Sequence, residues 1–165
     1  METALETVIS LLNELGCKSE LHRFGDAAYD WLGEGELSLA VKNPNTDRDM
    51  DIDFQNEVSL FFAEWHDHFP FDETEELCAV ITCIVRNEIC ISVNFHDGEQ
   101  WGGSGLSCND KAILPDLRNF QYIDTIDEEI AEDAKAFADI DEVIEVRFKF
   151  WDPKFDKTVV FENKS

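Results

Sequence analysis

Two histidines one residue apart, within the run Glu64-Trp65-His66-Asp67-His68, form the densest group of side chains here that could do chemistry. Alternate residues of a strand share a face, so a strand over this run projects His66 and His68 together, an arrangement suited to zinc. A third ligand would come from His96 or Cys108. The same imidazoles beside Glu64 or Asp67 could exchange protons, but no nucleophile or substrate pocket can be identified next to them. The competing reading is a strand that leaves its sheet after Trp65, with two solvent-facing histidines ahead of the Phe69-Pro70 stop.

The run Asp47-Arg48-Asp49-Met50-Asp51-Ile52-Asp53 invites a test for calcium. An EF-hand loop beginning at Asp47 needs glycine at its sixth place and glutamate at its twelfth; Ile52 and Val58 stand there instead. What remains is a row: on a strand, Asp49, Asp51 and Asp53 share one face at intervals of about 7 Å. Such a row matches spaced lysines or arginines on a partner. Trp101-Gly102-Gly103-Ser104-Gly105 lacks the Gly-Lys-Ser/Thr and the following helix of a phosphate loop, and its glycines read as a hairpin end or irregular edge. Of the tryptophans, Trp101 is the candidate exposed anchor.

These residues sit in an unusually acidic chain. It carries 37 Asp and Glu against 13 Lys and Arg, a formal net charge of -24 on 165 residues. Eleven carboxylates lie between Asp47 and Glu76 against Arg48 alone, and ten between Asp124 and Glu145 against Lys135 alone. Charge of this kind argues against nucleic acid and anionic membranes as partners and for a basic protein. With 44% hydrophobic and 12% aromatic residues the acidity belongs to a folded surface, not to a disordered tail. The length suits a single α+β domain over residues 1–165.

Five cysteines without a Cys-x-x-Cys pair, no basic-then-apolar leader and no long apolar run lead us to expect free thiols and a cytoplasmic setting. Nothing in the sequence implies a cofactor.

The elements that must position these groups follow from periodicity. Leu5, Val8, Ile9, Leu12 and Leu15 predict a helix over 4–15, opened by a Thr3/Glu6 capping box and stopped by Gly16. Leu77, Val80, Ile81 and Ile84 predict a second, opened by Asp72 and Glu75 and ending near Arg86. Ile126, Ile130, Ala134 and Phe137 predict a third, capped by Thr125 and Glu128, with Glu128, Glu129, Glu132 and Asp133 on its surface. Period-two alternation predicts strands at 36–42, 51–54, 89–96 and 144–150, and an apolar run predicts a more central strand over 58–65. Asp97-Gly98 signals a hairpin, and Asp152-Pro153 a turn into a last strand at 158–161. We therefore expect a single antiparallel sheet of about six strands with three helices packed mainly on one face.

In size, acidity and α+β pattern the chain resembles small bacterial immunity proteins, which bind and neutralise a cognate toxin, often a basic nuclease. That resemblance implies steric and electrostatic blockade of a toxin domain. Asp47, Asp49, Asp51, Asp53, Glu64, Asp67, Trp101, Glu128, Glu129, Glu132 and Asp133 are the candidate partner contacts. The alternatives are a metal-dependent enzyme using His66 and His68, with His96 as a further ligand, and a nucleic-acid mimic that inhibits a DNA-binding protein.

Overall fold

The chain alternates helix and strand signals in a way that resolves, in a computed structural model describing residues 1–111, 123–137 and 143–162, into two compact units, Met1–Thr82 and Cys83–Ser165. Asp139, Asp141 and Glu142 of the second acidic stretch lie outside the described residues.

The first unit begins with α1 (Glu2–Glu14), which buries Ala4, Val8 and Leu12. A five-stranded antiparallel sheet follows in simple meander order: β1 (Lys18–Arg23), β2 (Leu37–Lys42), β3 (Met50–Phe54), β4 (Val58–Phe62) and β5 (Trp65–Phe69). The register sets Leu39 opposite Ile52 and Ile52 opposite Leu60, and Val41, Met50 and Phe62 follow in the neighbouring row. That face is apolar and almost wholly buried, so the slip of one residue that would expose it is strongly disfavoured. α2 (Thr74–Val85) carries the chain onward into the second unit.

The second unit holds another five-stranded sheet, in the order β10-β9-β6-β7-β8: β6 (Ile89–His96), β7 (Glu99–Cys108), β8 (Asp124–Thr125), β9 (Ile144–Lys149) and β10 (Lys157–Phe161). It is mixed, because β8 joins β7 in parallel. α3 (Ile126–Ala136) follows β8 directly, and Ile126 and Ile130 pack with Cys90, Val146, Phe148 and Phe150 into one core cluster.

The fold therefore differs from the expected single sheet of about six strands: the described residues form two sheets of five strands each. One reason is local. Ala63, at φ 52°, turns the chain inside the apolar run that reads as one strand over 58–65, so the run becomes the β4–β5 hairpin. Another is compositional, since β1 (KSELHR) is a polar, largely exposed edge strand with no apolar alternation to announce it. The helix starts also shift. α1 begins at Glu2 with no side-chain cap, and Thr3 is already inside it, so the Thr3/Glu6 box does not form. A 3-10 turn, Phe71–Glu73, precedes α2, whose Thr74 hydroxyl donates to the Phe71 carbonyl in place of an Asp72/Glu75 box. The Thr125/Glu128 box is present in full. Asp97 and Gly98, both at positive φ, form the two-residue turn of the β6–β7 hairpin.

Candidate partner-binding face

The second face of the first sheet gathers residues that are far apart in sequence. Cross-strand pairing runs His22–Ser38–Asp53–Ser59–His68 through all five strands without interruption. The adjacent row runs Glu20–Ala40–Asp51–Phe61–His66. Paired strands lie about 4.8 Å apart and same-face neighbours about 7 Å apart along a strand. Asp51, Asp53, His66 and His68, drawn from two separate stretches of the sequence, thus share one face.

The loop between β1 and β2 roofs part of this face. Tyr29 stacks on His22 with ring centroids 3.8 Å apart, Trp31 follows at 4.8 Å from Tyr29, and the Tyr29 hydroxyl lies 3.4 Å from Asp51 Oδ1. Leu32 is buried beneath, and Glu36 accepts from the Gly33 amide at 2.7 Å to close the loop. Trp31 remains 55% exposed and Phe61, on the unroofed side, 37%. Both sit beside carboxylates.

The roof changes the character of the acidic row. Asp49 precedes β3 and is spent on the scaffold, since it takes Lys42 Nζ at 2.6 Å and the Asn43 amide at 3.0 Å. Asp51 is half-buried and Asp53 only 7% exposed, so the expected solvent-facing row of three is a partly covered pair. Burial pushes both carboxyls above the usual aspartate range; Asp53 and Asp49 add repulsion at Asp51, and Glu36 does so at Asp53. The Ser38 hydroxyl and the Trp31 indole lie beside Asp53 and pull it partway back. Asp53 Oδ1 and Ser38 Oγ are nevertheless buried without a hydrogen-bond partner. Asp47 stays in solvent ahead of β3.

On the far side, His66 stacks on Phe61 at 5.6 Å and meets His68 edge-on at 5.4 Å. His68 Nδ1 lies 2.9 Å from Ser59 Oγ and 3.3 Å from Glu57 Oε1. A serine-histidine-acid relay needs the hydroxyl on one ring nitrogen and the carboxylate on the other; here both approach Nδ1, so the trio is not arranged for acyl transfer. Glu64 is exposed in the β4–β5 turn. Asp67 points to the other side of the sheet, opposite Leu60, and its Oδ1 accepts from the His68 amide at 2.8 Å. Among the described residues no three side chains of ligand type converge to hold a metal. His96 lies on β6, in the second unit.

The acids of α3 divide by face. Glu128 caps the helix and binds Lys111 Nζ at 2.9 Å, which holds its carboxyl below the usual glutamate range. Glu132 is exposed. Glu129 and Asp133, one turn apart, are half-buried, and the Ser107 hydroxyl donates to Glu129. Burial raises Glu129, and burial with repulsion from Glu129 and Glu132 pushes Asp133 up to about 6. Trp101 is 50% exposed, 5.3 Å from the Phe137 ring and 6.2 Å from His96.

Sequence reasoning missed Tyr29, Trp31, Ser38, Ser59 and Phe61, whose places on the face depend on register and loop path. Only the alternation of β2 and β3 could have pointed to Ser38. Compared with protein-family models, with curated proteins and with solved structures, the chain has no match.

Proposed function

We propose that this chain is an acidic binding protein of the immunity type, which neutralises a cognate basic protein, a toxin domain such as a nuclease, by electrostatic and steric blockade in the cytoplasm. The observation that supports it is the second face of the first sheet, where the half-buried carboxylate of Asp51 and the buried one of Asp53 stand beside the exposed rings of Trp31 and Phe61. Exposed aromatics flanked by acids are the composition of an anchor patch, because the ring supplies contact area and the carboxylates select a cationic neighbour. The net charge of -24 extends the attraction beyond that patch and speeds encounter with a basic surface. The five free cysteines fit a reducing compartment.

The experiment is to purify the protein at low salt from the cells that make it, identify a basic partner, and measure its affinity by calorimetry at rising ionic strength. The reading requires a stoichiometric complex whose affinity falls with salt and whose partner loses its activity when bound. A salt-insensitive complex, or one that leaves a basic partner fully active, refutes it.

A further inference from the structure

The second unit contains an acid, an aromatic ring and an arginine whose arrangement shows what the first unit lacks. Glu145 on β9 is directly opposite Phe95 on β6. Arg147, two residues along from Glu145, lays its guanidinium 3.7 Å over the Phe95 ring while its Nε and Nη2 donate to Glu145 Oε2 at 2.9 and 2.7 Å. Acid and ring hold the planar cation from two sides, one by charge and one by its π face.

The first sheet repeats the pair. Asp51 on β3 is directly opposite Phe61 on β4. The residue two along from the acid is here a second aspartate, Asp53, and neither carboxylate forms an ion pair with a described residue. Asp53 is more than nine-tenths buried and its Oδ1 has no well-aligned hydrogen-bond donor, although the Ser38 hydroxyl and the Trp31 indole lie against the carboxylate. Leaving a buried carboxylate oxygen unpaired costs free energy that an incoming donor would recover. The indole of Trp31 meets Asp53 through its N–H edge, and the rest of the ring is exposed beside the carboxylate.

We propose that Asp51, Asp53, Phe61 and Trp31 form a socket for an arginine side chain supplied by the basic partner. Arginine is selected over lysine for physical reasons. Its planar group can stack on a ring and donate several N–H bonds in the same plane, whereas an ammonium is a compact, strongly hydrated point charge. The inference rests on the reading of this face as the one that meets a basic partner, and it adds which side chain the face selects.

The test is titration calorimetry of the full chain with hepta-arginine and with hepta-lysine at low salt. Hepta-arginine should bind about tenfold more tightly than hepta-lysine, and the D51N/D53N double variant should lose most of that advantage. W31A and F61A, both at exposed rings, should lose part of it. E6Q/E14Q, which removes the same two charges from exposed positions on α1, should bind both peptides with their affinity ratio unchanged. Far-UV circular dichroism of each variant shows that it is folded. Equal affinity for both peptides, with D51N/D53N no weaker than E6Q/E14Q, overturns the socket and leaves the acidic-binder reading standing. If neither peptide binds, both are overturned.

Discussion

Replacing Asp133 by asparagine should stabilise this protein at neutral pH and should not do so in acid. Asp133 lies in the last turn of α3, near the negative end of the helix dipole, half-buried and with Glu129 and Glu132 adding repulsion. Its Oδ2 is buried without a hydrogen-bond partner. Burial, with repulsion from Glu129 and Glu132, pushes its carboxyl from 3.8 to about 6 in the folded protein. A raised carboxyl pKa means the folded state holds the proton more tightly than the unfolded chain. Stability therefore falls as pH rises through the window between those two values, and the penalty is complete above about 6.

A shift of roughly two units corresponds to a ceiling of about 3 kcal/mol, which solvent screening of a half-buried group reduces to about 1 to 2 kcal/mol. For a chain of this size that is a rise in Tm of a few degrees, roughly 2–4 °C per kcal/mol. Urea unfolding of D133N and of the parent protein at pH 7.5 and pH 4, followed by circular dichroism, reads the difference directly. The expected result is a higher midpoint for D133N at pH 7.5 that shrinks towards the parent value at pH 4. No gain at pH 7.5 would mean the carboxylate is stabilised by solvent or a neighbour. An equal gain at both pH values would mean the effect comes from packing or helix propensity, and either result refutes the electrostatic argument.

The same logic applies in the first unit: Asp53→Asn should raise the unfolding midpoint at pH 7.5, lose that gain near the ordinary aspartate range, and weaken hepta-arginine binding, so that stability and binding move in opposite directions. Thiol reactivity should divide by burial. Ellman titration of the folded protein should modify Cys17 and Cys78, while Cys83, whose thiol burial pushes up to about 12, and the buried Cys90 and Cys108 should react only after unfolding; five equivalents in the native state would contradict the packing. In stopped-flow association with a basic partner, neutralising the exposed Asp47 and Glu64 should slow association and flatten its salt dependence. Asp51→Asn should instead speed dissociation, and a uniform effect of all three on association alone would argue against a distinct anchor.

Features written in a few neighbouring residues were legible in the sequence. The Asp97-Gly98 turn, the Thr125/Glu128 cap, the Asp152-Pro153 turn and the alternation of β2, β6 and β9 are each decided within one turn or one strand, where backbone preference and period dominate. Features that depend on distant partners were not. The run over 58–65 carries apolar residues on both faces with only Ser59 and Glu64 between them, and neither glycine nor proline marks Ala63 as the point where the chain reverses. β1 has polar and charged residues because it is an edge, paired on one side only with β2. Two sheets and one sheet also impose the same period on each strand, so alternation alone could not divide the strands between them.

The candidate face shows the same limit at the level of function. Alternation places Asp51 and Asp53 on one side of β3, and His66 and His68 on one side of β5, but only the β3–β4–β5 register shows that the two sides are the same. Nor can sequence spacing reveal that the loop bearing Tyr29 and Trp31 folds back over His22 and Asp51. That roof turns two aspartates that look like solvated charge into groups whose burial raises their pKa. Solvated carboxylates contribute to a long-range field that any base can feel. A carboxylate held partly out of water beside an exposed ring discriminates among bases by shape and hydrogen-bonding pattern, because only a group that restores its lost hydrogen bonds offsets the cost of covering it. The acidity of the chain sets which class of partner approaches; the register of five strands and the path of one loop set which side chain can be accepted.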